Sequence, residues 1–124
     1  MHISIFGYGV TTTPLVSFLN QQGHTLHIYD DKFTQAHNDD FGNTLLPSND
    51  FIPEHSDKEI LSPGIPPSHP LVCKAQHLIS EYDYFYRLLQ NDVNTHKKDM
   101  PFMIWISGTN GKTTTTSIIY NILN

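Results

Sequence analysis

The sequence predicts an α/β fold, and three observations predict it. A short β-type run, His2 to Phe6, ends in Gly7-Tyr8-Gly9, and a helical pattern and a second β-type run follow directly. Such a βαβ opening favours a parallel sheet with a right-handed crossover. Further short β-type runs alternate with helical stretches through residue 89. Finally, the apolar run Phe102-Met103-Ile104-Trp105-Ile106 leads into Gly108-Thr109-Asn110-Gly111-Lys112-Thr113-Thr114 and a last helical pattern. That is the strand, glycine turn and helix of a phosphate-binding loop.

Each element has a local reason. In the first helix, expected from about Thr12 to Gln22, Leu15, Val16, Phe18 and Leu19 supply the apolar face. Thr11 or Thr12 is placed to cap it, Pro14 suits its first turn, and Gly23 is a C′ residue. Thr25 to Tyr29 is the second strand, with Asp30-Asp31 at its carboxyl end. The polar stretch after Lys32 has no apolar period. Thr44 to Leu46 and Glu59 to Ser62 are short strands, and Pro63-Gly64-Ile65-Pro66-Pro67 forbids regular structure after the latter. A helix starts at Ser68 or His69 and runs to about Gln76; it includes Cys73, expected to be buried. His77 to Ile79 is a strand. Ser80 and Asp83 form a capping box for a helix bearing Tyr84, Phe85, Leu88 and Leu89.

Residues 90 to 99 are polar and aperiodic. The expected organisation is therefore a Rossmann-like parallel-sheet domain over 1–92, a linker over 93–101, and over 102–124 the first βα unit of a second domain. One βα unit cannot bury its own two faces, so the chain reads as a fragment of a longer protein. The unpaired edges of a lone strand at 102–106 predict swapping or dimer formation by the fragment.

Composition excludes several classes. A net charge of −5, with no basic run beyond Lys97-Lys98, argues against nucleic acid as a partner. No apolar run approaches a membrane span, and the first residues lack a signal-peptide pattern. The single cysteine fits a reducing cytoplasm. The eight histidines are scattered without zinc-site spacing.

Two glycine turns carry the chemistry. In the second, glycines let backbone N–H groups curl around phosphate oxygens, and the helix start adds positive dipole. Gly108, Thr109, Asn110, Gly111, Lys112, Thr113 and Thr114 are the candidate ATP-binding residues. Lys112, the candidate catalytic residue, would reach the β/γ-phosphates, and the Thr113 hydroxyl would sit on Mg²⁺. The general loop pattern wants four residues between its glycines; here there are two. In the first turn, Gly7-Tyr8-Gly9-Val10-Thr11-Thr12, Thr12 stands where the dinucleotide fingerprint wants glycine. Asp30 lies at about the spacing of the fingerprint's acid. NAD is one candidate ligand; a uridine-diphosphate sugar, whose pyrophosphate asks the same of the backbone, is another.

The short loop Gly-Thr-Asn-Gly-Lys-Thr-Thr resembles that of the Mur ligase superfamily. Two further segments line up with it: the opening turn with Asp30-Asp31-Lys32, and Leu61-Ser62-Pro63-Gly64-Ile65 with His69-Pro70 and Ser80 to Phe85. The Ser-Pro-Gly-Ile then His-Pro segment points to the D-glutamate-adding member. The resemblance implies that the first domain holds the UDP moiety of the substrate. Val10 and Thr11 would meet the diphosphate, Asp30, Asp31 and Lys32 would lie around the uridine, and Ser62, Pro63 and Gly64 would line the groove. It also implies a bacterial, cytoplasmic, ATP- and Mg²⁺-dependent ligase, monomeric at full length, that joins D-glutamate to UDP-N-acetylmuramoyl-L-alanine in peptidoglycan synthesis. The loop would then open a central ATPase domain truncated here, and the fragment alone would be inactive. Two other readings compete. A Rossmann NAD-binding module uses Gly7, Gly9 and Asp30 but leaves 108–114 idle. A non-enzymatic nucleotide-binding protein needs only part of that loop.

Overall fold

The computed structural model describes residues 1–97, 99–101, 103–104, 106 and 110–123. It divides into two compact units, Met1–Asn91 and Asp92–Asn124. In chain order the elements are β1 (Ile3–Phe6), α1 (Thr12–Gln21), β2 (Leu26–Tyr29), β3 (His37–Asn38), β4 (Thr44–Leu46), β5 (Lys58–Leu61), α2 (Pro70–Lys74), β6 (Leu78–Ser80), α3 (Glu81–His96) and α4 (Lys112–Leu123). Short 3₁₀ turns at Ser48–Asp50 and Pro53–His55 join β4 to β5.

The six strands form one sheet in the order β3-β4-β2-β1-β5-β6. All pairs are parallel except the edge pair β3 and β4. From β1 the chain moves outward through β2 to β4, then crosses back to β5 and β6 on the other side. The order therefore reverses between β1 and β5, and the crevice at their carboxyl ends is the topological switch point of a doubly wound sheet.

Strand alternation sorts the core onto two faces. Ile3 and Ile5 of β1, Ile28 of β2 and Ile60 of β5 pack with Leu15, Val16 and Leu19 of α1 and Tyr84 of α3. Burying each such aliphatic side chain contributes about 1.5–3 kcal/mol. On the other face Phe6, Tyr29 and Phe51 meet edge to face, with ring centroids 4.8 Å apart for Phe6–Phe51 and 5.2 Å for Tyr29–Phe51. Leu71 of α2 completes that cluster. Its lower end is polar: Ser4 lies in register with His27 on one side and Glu59 on the other. Glu59 is fully buried, and its Oε2 accepts the His77 N–H at 2.6 Å.

Helix ends follow the sequence signals with one exception. His24 N–H reaches Leu19 O at 3.0 Å and Gly23 N–H reaches Asn20 O at 2.9 Å, a Schellman closure of α1 with Gly23 at φ +84°. Ser80 Oγ accepts the Asp83 N–H at 3.0 Å, the forward bond of the expected capping box, and the Asp83 carboxylate returns to the Ser80 hydroxyl at 2.9 Å rather than to its backbone N–H. At α1 the N-cap residue is Thr11, but it is in helical conformation and makes no side-chain cap bond. The hydroxyl of Thr13 donates to Gly9 O instead, at 2.9 Å.

Four further expectations differ. β3 was not foreseen; two residues are too few to show a period. The stretch 90–96, expected to be aperiodic, continues α3 to His96. Its polar residues suit a solvated helix with no apolar stripe to reveal it. Cys73 does lie in α2 but is exposed. Of the strand expected over 102–106, Phe102 and Trp105 lie outside the described residues, and Met103, Ile104 and Ile106 are not in a strand. A strand needs a neighbour to hydrogen-bond, and 92–124 contains none among its described residues.

The polar end of the sheet makes a pH prediction. Burial first, then the positive fields of His2 and His55, lower the pKa of His27. Its ring centroid lies 6.4 Å from that of His2. Because the folded-state pKa is depressed for a base, the unfolded chain binds this proton more readily. Stability is thus lost as pH falls below about 6.5, the unfolded value. His27→Phe should flatten the stability-against-pH curve between about pH 7 and 5 in urea titrations. An unchanged slope would contradict this.

Candidate functional site

The site is built where β1, β2 and β5 end together. After Phe6 the chain turns at Gly7, whose φ is +88° and whose N–H donates to Tyr29 O at 2.8 Å. The loop after β5 comes in from the other side, with Ser62 N–H donating to Phe6 O at 2.9 Å. The fit is close: a Cβ on Gly7 would stand 3.0 Å from both Ser62 Cβ and Ile65 Cγ1. The glycine is required here both for its dihedral and for its missing side chain.

Asp30 is engaged in holding this turn. Its Oδ2 accepts the Tyr8 N–H at 2.7 Å and its Oδ1 the Lys32 N–H at 2.9 Å. The Lys32 ammonium donates to Tyr8 O and lies 4.9 Å from the Tyr8 ring centroid and 5.4 Å from that of Phe33. Asp31 points elsewhere. His69 Nε2 lies 2.9 Å from Asp31 Oδ2, while His69 Nδ1 accepts the Leu71 N–H at 3.2 Å. Those two contacts tie the end of β2 to the start of α2. The Ser48 hydroxyl, then the His69 ring, hold the Asp31 carboxyl below the usual carboxylate range.

Beside the turn a cleft of about 520 Å³ opens between α1, α3 and the loop after β5. Pro14, Leu15, Phe18, Pro63 and Phe85 make it largely apolar, and Thr11, Ser62, Ser80 and Glu81 add polar groups to its wall. Burial raises the Glu81 pKa, and the Thr12 hydroxyl, donating to Glu81 Oε2 at 3.3 Å, partly opposes the rise.

The candidate diphosphate and uridine residues thus fall into two groups. Thr11, Ser62 and Pro63 share the cleft wall, with Val10 (92% exposed) and Gly64 adjacent in sequence. Asp30, Asp31 and Lys32 gather around the end of β2 and do not line that cleft. Thr12, the departure from the glycine fingerprint, is buried with its hydroxyl on Glu81, so α3 rather than the sheet receives its side chain. Sequence reasoning missed Glu81, His69 and Tyr8 as members of the site. The signal for Glu81 was available: an acid opening the helix after the sixth strand, opposite a threonine where glycine is usual.

In the second unit Gly111 has φ +77°, and α4 begins at Lys112. Thr115 N–H reaches Gly111 O at 3.0 Å and the Thr116 hydroxyl reaches Lys112 O at 2.7 Å. Lys112, Thr113 and Thr114 are exposed on the first turn. Gly108 and Thr109 of the candidate loop lie outside the described residues. No cluster of three metal-ligating side chains occurs among the described residues, and no helix among them is long and apolar enough to cross a membrane.

Together these features define a doubly wound α/β domain with a cleft beside its switch point. The sequence is similar over its whole length to curated UDP-N-acetylmuramoylalanine–D-glutamate ligases. Identity is 48% over 124 residues with that of Campylobacter jejuni and 46% over 123 residues with that of Helicobacter pylori. It is 37% over 131 aligned positions with that of Rickettsia prowazekii. The alignments cover 98–100% of this chain but only 27–28% of the relatives. The chain thus spans little more than a quarter of the length of the curated ligases to which it is similar. No family model matches the chain, and no solved structure matches it.

Proposed function

We propose that the chain is the UDP-substrate-binding portion, with the start of the ATP-binding domain, of a cytoplasmic ligase. That enzyme would join D-glutamate to UDP-N-acetylmuramoyl-L-alanine at the expense of ATP. The observation that carries this reading is identity of 48% over all 124 residues of the chain. The crevice at the switch point supports it, since open α/β sheets receive nucleotides there.

On this reading Val10 and Thr11 meet the diphosphate at the start of α1, where N–H groups and helix dipole favour an anion. Asp30, Asp31 and Lys32 surround the uridine, and Ser62, Pro63 and Gly64 line its groove. Asp30 already accepts two backbone N–H groups, so its role is to hold the turn in the shape that receives the ligand. The substrate's terminal carboxylate attacks the γ-phosphate of ATP and ADP departs. The D-glutamate amine then adds to the acyl phosphate, loses a proton and expels phosphate as the amide forms. A carboxylate resists amine attack until its oxygen becomes a leaving group, so the protein's work is positioning and charge neutralisation. Gly108 to Thr114 would cradle the ATP phosphates, and Lys112 would offset charge on the transferred group. The exposed hydroxyl of Thr113, on the first turn of α4, fits a Mg²⁺ ligand, and the ion would supply further neutralisation when bound.

Calorimetry tests this. The chain should bind UDP and UDP-N-acetylmuramoyl-L-alanine weakly and NAD not at all; NAD binding without UDP binding would replace the reading with a dinucleotide module. The chain alone should form no amide from UDP-N-acetylmuramoyl-L-alanine, ATP and D-glutamate. Turnover would refute the assignment of essential residues to the remaining length of the ligase.

A further inference from the structure

On the other flank of α1, away from the switch-point cleft, a second hollow of about 350 Å³ is lined by Tyr8, Thr13, Val16, Ser17, Asn20, Gln21 and Phe41. We propose that it is a binding site for a neutral, planar heteroaromatic molecule of the nucleobase or nucleoside class, stacked on Phe41 and hydrogen-bonded by the side chains of α1.

Three observations carry this. First, Phe41 is 73% exposed, yet the loop that presents it is held rigid. Asp39 Oδ1 accepts the N–H groups of Phe41 and Asn43, each at 2.9 Å, and Gly42 turns beside it at φ +83°. Asn43, fully buried, anchors the loop to β2 by accepting the Leu26 N–H at 3.0 Å. A phenyl ring displayed on a pre-ordered loop loses little entropy when a flat molecule stacks on it. Second, the opposite wall is a row of neutral donors and acceptors. Thr13, Ser17, Asn20 and Gln21 follow the i, i+4, i+7, i+8 spacing of one helix face. Among the described residues the Asn20 Oδ1 is buried without a hydrogen-bond partner. Carboxamides pair with the donor and acceptor edges of heterocycles, and rotating the Asn20 group by half a turn exchanges its O for its N. Third, no Lys, Arg, Asp, Glu or His lines the hollow, and the nearby Lys32 ammonium is engaged with Tyr8. A phosphate would find no counter-charge there, which selects a neutral ring over a nucleotide. A largely apolar wall that includes two aromatic rings, with the polar side chains of α1 beside it, likewise suits a heterocycle better than an aliphatic side chain.

Adenosine is the probe. Titrated into the ¹⁵N-labelled chain, it should shift the amide signals of Ser17, Asn20 and Phe41. Saturating UDP should leave those shifts in place, which separates this site from the substrate groove whether or not UDP binds. Phe41→Ala should weaken adenosine binding about tenfold or more, the loss expected on removing one stacking platform. Asn20→Leu should weaken it while leaving UDP binding unchanged. Phe41 is exposed, so its truncation leaves the core intact; an unchanged spectrum for the remaining amides checks that. Absence of shifts at these three residues, or full binding by Phe41→Ala, overturns the proposal.

Discussion

Gly7→Val is expected to lower the stability of the chain by about 2–4 kcal/mol and to remove UDP binding, the sum of an unfavourable positive φ and a small-to-large clash. Neither term is avoidable. At φ +88° a branched side chain is strained whatever space surrounds it. The space is also taken, by Ser62 Cβ and Ile65 Cγ1 at 3.0 Å from an ideal Cβ. Neither neighbour is a flexible tip with room to swing. Ser62 is pinned by its N–H to Phe6 O at 2.9 Å, and Ile65 N–H reaches Ser62 O at 3.1 Å. Relief must come from moving the loop after β5 away from β1, which opens the switch point. Gly9 is the control: a Cβ there meets nothing within 4 Å. Gly9→Ala should therefore stay within about 0.5 kcal/mol of the parent, as surface substitutions do. Urea unfolding separates the two variants, and calorimetry with UDP reads the groove. Equal stability of Gly7→Val and Gly9→Ala would show that the turn is not the rigid element described.

The difference between those glycines shows what the sequence could and could not reveal. Gly7-Tyr8-Gly9 announces a strand-to-helix turn, because little else produces that spacing after a β-type run. It does not say which glycine is needed for space, since that depends on Ile65, nearly sixty residues away. Local signals were legible where their partners are close in the chain. The Ser80–Asp83 capping box and the Gly23 closure each span a few residues, and both are found. The five parallel strands β1, β2, β4, β5 and β6 were readable as short β-type runs. The antiparallel edge strand β3 was not: His37 and Asn38 are exposed, so no burial pattern marks them.

The site residues divide along the same line. Thr11 and Ser62 share one cleft because β1 and β5 are neighbours, a strand order that the βαβ opening alone does not give. Asp30 sits at the predicted edge, but its carboxylate is bound by Tyr8 and Lys32 N–H groups that no spacing rule foretells. Glu81 became part of the cleft through Thr12, a pair separated by 69 residues. The Thr12 side chain stands where the fingerprint wants glycine, and α3 supplies its partner.

The second large effect is expected at Asn43. Asn43→Leu should cost about 2–4 kcal/mol, because a buried N–H loses its acceptor and a charge-assisted bond is lost with it. Asn43 is fully buried and bonds in three directions. Its Oδ1 accepts from Leu26 N–H at 3.0 Å, its Nδ2 donates to Asp39 Oδ2 at 2.8 Å, and its own N–H donates to Asp39 Oδ1 at 2.9 Å. Leucine fills similar volume, so the loss is of hydrogen bonds rather than of packing. Leu26 is itself buried at the start of β2, where water cannot replace the missing acceptor. The Leu26 amide should therefore exchange with solvent faster in the variant than in the parent. Phe41 rides on the same loop, so its ring should also lose its fixed position beside α1. An Asn43→Leu chain as stable as the parent in urea, with Leu26 equally protected, would show that β2 is held by its strand pairing alone.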